Sequence, residues 1–462
     1  MIKRKRHPVK VCGNALVHCR EIEVFSCPKK IIVKMRLSDG TESPILEEQE
    51  SANSDKPKQI IKYGELVILG YNGFLPQGDK GRKRSKFVLY KRPIANGVKR
   101  SRHYVVKTPH SSQAILDANQ HSISYTLSRN HAVIVEYTKD EDTDMFQIGR
   151  SSENPIDFVV MDTIPGDKTG DNKVMQSTIS RFACRILCDR NNSKIARIYA
   201  AGFDTSKNIF LGEKANKWQE NGREIDGLTT NGVLIMHPRG GSFCGGDALY
   251  GYWLETSVGG VVLSLRESRS AQQRGHVVDD ETNVLQDGTM IDLCGATLLW
   301  RSAEGLAKSP SKRDLEREID KINAGRPQCP VGLNTLVIPR KVTPNENQQQ
   351  PYVYLNCGHV QGLHDWGQDK DSGARKCPIC LELGPVVKVI MGMEPAFYVD
   401  SGPPTFAFNP CGHMATERTV KYWANVAIPH GTNGFHAVCP FCASPLSGSP
   451  GYIRLIFQDN VD

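Results

Sequence analysis

No run of apolar residues in this 462-residue chain approaches the roughly 18 that a membrane-spanning helix needs, so insertion into a bilayer as a helix is not expected. The start, Met1-Ile-Lys-Arg-Lys-Arg6, is basic, but no apolar stretch follows it, so a secretory signal peptide is not expected either. Acidic residues are missing from 81–102, which hold Arg82, Lys83, Arg84, Lys86, Lys91, Arg92, Lys99, Arg100 and Arg102. Regularly spaced aromatics are missing there too, so the strip reads as a solvated loop face rather than a nucleic-acid groove. Lys3 to Arg6 reads as a basic tail before it reads as a nuclear address. These absences point to the cytoplasm, with the nucleus as a second compartment.

What is present is ordinary in bulk. Hydrophobic residues make up 39% and charged residues 23%, with a net charge of +8. A chain of this length has room for roughly two to four domains of about 100–200 residues. The 14 cysteines are uneven: seven lie between Cys329 and Cys442, together with five of the 13 histidines. Without an oxidising destination, metal ligation outranks a disulfide framework.

The chain divides by pattern. Residues 1–60 mix charge with Ser, Asn and Pro around a strand-like run at Ile31–Leu37, and read as a flexible N-terminal extension. Residues 61–305 carry short β-type runs, among them 65–71, 86–90, 131–137, 158–161, 196–200, 232–236 and 260–265, separated by Gly/Asn/Asp clusters. That rhythm predicts an all-β sandwich, long enough to hold inserted or appended strands. Residues 306–328 form a linker in which Leu315, Ile319 and Ile322 share one helical face, with Ser311 as N-cap and Gly325 as stop. Residues 345–350 are a polar low-complexity loop, and 329–462 make a last, small α+β domain.

That last domain contains a repeat. Cys357-Gly-His359 is followed by 17 residues and then Cys377-Pro-Ile-Cys380; after 30 more come Cys411-Gly-His413, 25 residues and Cys439-Pro-Phe-Cys442. Thiolate and imidazole in sets of four are the ligands of structural Zn²⁺, and eight such groups complete two closed sites with no position open for a reacting water. Cys-x-x-Cys aims two sulfurs at one ion, and the glycine of Cys-Gly-His permits a sharp backbone. Spacing leaves the pairing open. A cross-brace groups Cys357, His359, Cys411 and His413 against Cys377, Cys380, Cys439 and Cys442; a serial arrangement keeps each repeat to itself. His364, His430, His436 and Cys329 stand by as substitutes, and Cys329 is also the one spare thiol there, open to a covalent role.

These elements resemble a RING-type ubiquitin ligase module, although a typical RING opens with Cys-x-x-Cys rather than Cys-x-His. The resemblance implies two structural zinc ions, contacts to a ubiquitin-conjugating enzyme through Pro378, Ile379, Trp423 and Pro440, and no protein nucleophile. Such a ligase works by positioning the charged conjugating enzyme.

Three elements of the β region suit a phosphate: Phe146-Gln-Ile-Gly-Arg150-Ser, Ser177-Thr-Ile-Ser180-Arg181-Phe and Leu228-Thr-Thr230-Asn231-Gly-Val. Guanidinium, hydroxyl and amide donors on loops of a rigid sandwich are what phosphate recognition needs. In this order they resemble a forkhead-associated (FHA) domain, which implies phosphothreonine binding through Arg150, Ser180, Arg181, Thr230 and Asn231. Ala183 stands where that family's supporting histidine is usual.

From about residue 60 to the end the chain is similar to the Pellino family. Stretches that carry the resemblance include Gln120-His-Ser-Ile-Ser-Tyr-Thr-Leu-Ser-Arg129, Thr143-Asp-Met-Phe-Gln-Ile-Gly-Arg150 and Ala407-Phe-Asn-Pro-Cys-Gly-His413. The resemblance implies an E3 ubiquitin ligase that docks phosphorylated Pelle-type, interleukin-1-receptor-associated kinases in Toll and innate immune signalling, and that is itself phosphorylated. A non-catalytic phospho-dependent scaffold and a zinc-dependent nucleic-acid binder are the alternatives.

Overall fold

The structure, a computed structural model, describes residues 19–27, 30–37, 60–71, 86–107, 119–160, 178–219, 224–245, 247–340, 349–369, 373–430 and 434–458. The chain forms two compact units, Met1–Gln59 and Ile60–Asp462. In the first, the run at 31–37 lies in the strand Lys30–Leu37, which pairs antiparallel with Cys19–Cys27. The partner strand was not anticipated from the sequence.

The second unit is mainly β. A seven-stranded sheet runs in the order Val262–Leu263, Leu254–Thr256, Val233–Met236, Met290–Asp292, Ala296–Ser302, Lys62–Tyr71, Lys86–Tyr90. Two four-stranded sheets accompany it: Ala196–Ala200, Cys184–Asp189, Thr143–Gly149, Phe158–Val159, and Asn208–Leu211, His121–Ser128, His131–Asp140, Gly97–Val106. Leu66, Ile68, Ile235, Leu298, Phe146 and Ile186 belong to the core of this sandwich.

The opposite face of the large sheet is equally dry. Val67, Leu69, Leu234, Met236, Met290 and Leu299 join a second core, shared with helix α2 and the C-terminal module. Covering on both faces explains why Leu66-Val-Ile-Leu69 is a continuous apolar run rather than an alternating one. Helix α1 (Ala303–Lys308) and helix α2 (Lys312–Ala324) follow the last sandwich strand. Ser311 caps α2 with a capping box to Asp314, Gly325 ends it, and Leu315 and Ile319 are buried, as the periodicity predicts.

The C-terminal module repeats one motif. Hairpin Tyr352–Tyr354/Val360–Gln361 frames Cys357-Gly-His359, and Phe406–Phe408/His413–Ala415 frames Cys411-Gly-His413. Helix α3 (Glu417–Asn425), capped by Thr416, buries Val420, Tyr422 and Trp423.

The basic strip is a correction. Residues 81–85 and the loop 345–348 lie outside the described residues, but Lys86–Tyr90 and Gly97–Val106 are strands rather than a loop face. Gly97–Val106 is a sheet-edge strand, where Lys and Arg oppose further pairing. Several cations of the strip are also paired locally: Arg100 meets Glu224 at 2.5 Å, Arg102 meets Glu136 at 2.5 Å, and Arg92 meets Asp157 at 2.7 Å.

Candidate functional site

The eight Cys/His side chains gather into two groups of four, and the arrangement is serial. Cys357, His359, Cys377 and Cys380 form one group; Cys411, His413, Cys439 and Cys442 form the other; within each, the ligand atoms all lie within 4.8 Å of one another. The cross-brace is therefore not the pairing adopted.

Backbone geometry makes each group. In the Cys-Gly-His turns, Gly358 and Gly412 have φ of +80° and +72°, and a Cβ there would lie 2.1 Å from the Arg454 carbonyl oxygen and 2.0 Å from that of Lys388. Only glycine tolerates both conditions. In the Cys-Pro-x-Cys knuckles, the Leu381 amide donates to the Cys377 carbonyl at 2.9 Å and the Ala443 amide to the Cys439 carbonyl at 2.8 Å. Both donors have positive φ, 65° and 58°.

Cys329 closes a third turn of the same shape. Leu333, at φ 52°, donates to the Cys329 carbonyl at 3.0 Å, and the Gly332 amide donates to the Cys329 sulfur at 3.2 Å. Gly332 stands where the other knuckles have a second thiol, and Cys329 is buried outside both groups. It is no substitute ligand. His364 bonds Gln361 at 2.5 Å and belongs to neither group.

The donor sets fit a thiophilic divalent cation. Nδ1 of His413 is buried with no hydrogen-bond partner among the described residues, and Nδ1 of His359 lies 3.3 Å from the Cys357 sulfur. Burial pushes the Cys357 thiol up to about 12 and the Cys439 thiol well above its ordinary range. Hydrogen bonds from Cys411 and Cys439 hold the Cys442 thiol far below it. Sulfurs this close compete for protons, and metal binding ends that competition because the ligands bind deprotonated.

The expected conjugating-enzyme contacts divide. Ile379 is 45% exposed and Pro378 half-buried, at the tip of the first knuckle, beside exposed Leu381 and Leu383. Trp423 is fully buried; its indole N–H donates to the Phe397 carbonyl at 2.8 Å, and its ring meets Phe243 of the sandwich at 6.4 Å. Pro440 is buried as well. Both are corrections: helix α3 turns Trp423 into the shared core, and neither residue offers surface to a partner.

The three phosphate-type loops come together in the sandwich. The Arg150 amide donates to the Ser180 carbonyl at 3.2 Å, its Nε to the Ile179 carbonyl at 2.8 Å, and the Ser151 amide to the Arg181 carbonyl at 3.2 Å. Asn231 Nδ2 donates to the Thr178 carbonyl at 2.7 Å, which ties the third loop to the second. Gly149 allows the approach, because a Cβ there would lie 2.0 Å from the Arg181 carbonyl oxygen. Thr230 and Arg181 are exposed, and Arg150, Ser180 and Asn231 half-buried. Ala183 is buried and donates its amide to Ile148, so backbone bonding supports the loop at that position.

Two residues that the motifs do not include also reach this site. Arg266 donates to the Thr229 carbonyl at 3.1 Å and Arg269 to that of Asn231 at 3.1 Å. Both come from the irregular segment 264–289, where nothing in the sequence periodicity singles them out.

Comparison with known proteins agrees with this geometry. The family model described as Pellino, FHA domain matches residues 54–318, and that described as Pellino, RING domain matches residues 322–462. The chain is 74% identical over 428 residues to Protein pellino of Drosophila melanogaster, covering 93% of this chain and 100% of that one. It is 60% identical over 411 residues to E3 ubiquitin-protein ligase pellino homolog 2 of Homo sapiens, covering 88% and 97%. It is 55% identical over 418 residues to E3 ubiquitin-protein ligase pellino homolog 3 of Mus musculus, covering 90% and 93%. A sandwich with converged phosphate-type loops, joined to a module with two Cys/His sets, is thus matched along almost its whole length, and the chain belongs to the Pellino family.

Proposed function

We propose that this Pellino-family E3 ubiquitin ligase docks a phosphothreonine-bearing kinase through its sandwich and delivers ubiquitin to it from a conjugating enzyme held on its C-terminal module. The observation that carries the reading is the convergence of Arg150, Ser180, Arg181, Thr230 and Asn231 on three loops bound to one another by backbone and amide hydrogen bonds. Arg150 and Arg181 supply charge to a phosphate, and Ser180, Thr230 and Asn231 supply neutral donors. The partners we assign are phosphorylated Pelle-type, interleukin-1-receptor-associated kinases, in Toll signalling in the cytoplasm.

The cation we assign to both Cys/His sets is zinc. When bound, it braces the loops and leaves no coordination position for chemistry. This chain's own residues then act by placement. Pro378 and Ile379 offer the surface for the conjugating enzyme, and no side chain of the module attacks the ubiquitin bond. We place the functional boundaries at 61–305 for the reader, 306–328 for the linker and 329–462 for the zinc module. The test is phosphopeptide binding by the full chain with Arg150→Ala beside wild type, and ubiquitin transfer with Ile379→Ala. Loss of binding in the first and of transfer in the second are the expected results.

A further inference from the structure

Under the turn Thr229–Gly232, which carries two of the five phosphate-type residues, lie two ion pairs that the motifs do not explain. Arg266 grips Glu255 in a fork, Nε to Oε2 at 2.9 Å and Nη2 to Oε1 at 2.7 Å, with side-chain exposures of 4% and 2%. The same Nη2 donates to the carbonyls of Thr229 at 3.1 Å and Thr230 at 3.4 Å. Arg269 pairs with the fully buried Asp292 and donates to the carbonyls of Asn231 at 3.1 Å and Gly232 at 3.4 Å. Two guanidinium groups thus hold four consecutive carbonyls.

Gly232 shows how tight the fit is. Its φ is +69°, and a Cβ there would lie 2.4 Å from Glu255 Oε1 and 3.1 Å from Arg266 Nη2. Asp292 is itself fixed by the Cys294 amide at 2.9 Å and the Thr297 hydroxyl at 2.8 Å. Buried ion pairs rarely stabilise a fold better than apolar residues of the same size, because desolvation offsets their attraction. Two of them beneath one four-residue turn are better explained by the geometry they impose than by stability.

We propose that Arg266 and Arg269 are positioning residues of the phosphothreonine reader, clamping the Thr229–Gly232 turn so that Thr230 and Asn231 are presented in one fixed conformation. The inference rests on the phosphothreonine reading above. A preorganised turn pays no ordering entropy on binding, so releasing the clamp weakens affinity without removing any group that touches the peptide.

The experiment uses the full chain and a fluorescent random-flank peptide pool centred on phosphothreonine, with the unphosphorylated pool as control. Arg269→Lys keeps a cation opposite Asp292 but has one nitrogen, and cannot serve the carboxylate from Nη2 and the two carbonyls from Nη1 at once. It is expected to raise the apparent Kd about tenfold, with unchanged stoichiometry and melting temperature. Arg266→Lys is expected to behave alike. Arg239→Lys perturbs another anchor of the same segment, the pair with Glu281 at 2.6 Å, and is expected to leave affinity unchanged. Binding by both Lys variants within about twofold of wild type, or equal weakening by Arg239→Lys, overturns the clamp. Failure of wild type to prefer the phosphorylated pool, or of Arg150→Ala to abolish that preference, overturns the phosphothreonine reading itself.

Discussion

The indole N–H of Trp253, in the sandwich, donates to the carbonyl of Ala427, in the C-terminal module, at 2.8 Å. Arg301 strengthens the same junction. It is fully buried at the end of a sandwich strand, donates to the Ala396 carbonyl, pairs with Asp287 at 3.0 Å and stacks on Phe243 at 4.6 Å. Phe243 in turn meets Tyr422 and Trp423 edge to face. The sandwich and the C-terminal module are packed as one body, with a continuous core between them.

That packing predicts shared stability. Arg301→Ala leaves Asp287 without its cation and is expected to lower the stability of both modules together by about 3–5 kcal/mol. Denaturant unfolding followed by sandwich and C-terminal probes should give coincident transitions that shift together. Separate transitions, only one of which moves, would refute the coupling.

Serial pairing makes a stoichiometric prediction. Cys357→Ser/Cys380→Ser damages one set of four and leaves Cys411, His413, Cys439 and Cys442 complete. Elemental mass spectrometry should find two zinc ions in the wild-type chain and one in this variant. A cross-brace would lose both, because each site would draw a ligand from the damaged repeat.

Ile379 and Trp423 separate surface from core. Ile379→Ala removes an exposed side chain and is expected to reduce ubiquitin transfer with little change in melting temperature. Trp423→Ala empties a buried site and is expected to cost about 3–5 kcal/mol of stability. Calorimetry alongside a transfer assay distinguishes the two effects.

The sandwich carries a pH dependence of defined sign. Burial, with the charges of Lys207 and Arg185, holds the His121 imidazole down at about 4 from its usual 6.5, against the Phe203 ring at 4.7 Å. The folded state therefore binds this proton less readily than the unfolded one. The stability associated with neutral His121 is complete above about 6.5 and is lost as pH falls toward 4. His121→Phe should flatten the urea midpoint between pH 7 and pH 5; an unchanged slope would contradict the assignment.

The sequence displayed what local chemistry demands. The Cys-Gly-His and Cys-Pro-x-Cys elements, the capped helix at Lys312–Ala324 and the three phosphate-type loops all lie where their residues indicate. Contacts decided in three dimensions left no such trace. The pairing of the two repeats depends on whether a loop closes on itself or on its neighbour, and spacing permits either. Resemblance alone makes Trp423 a partner contact; helix α3 buries it against Phe243 instead. Nothing in the sequence pattern marks Arg185, which is buried and donates to the carbonyls of Ala200, Ala201 and Val258. The edge strand Gly97–Val106 was hidden because its charged residues mimic a loop.

The most direct test is ubiquitin transfer by the full chain to an interleukin-1-receptor-associated kinase, in phosphorylated and phosphatase-treated forms. The wild-type chain should modify the phosphorylated kinase preferentially, and Arg150→Ala should lose that preference while still modifying itself. Equal transfer to both forms by the wild-type chain would contradict a ligase guided by its phosphothreonine reader.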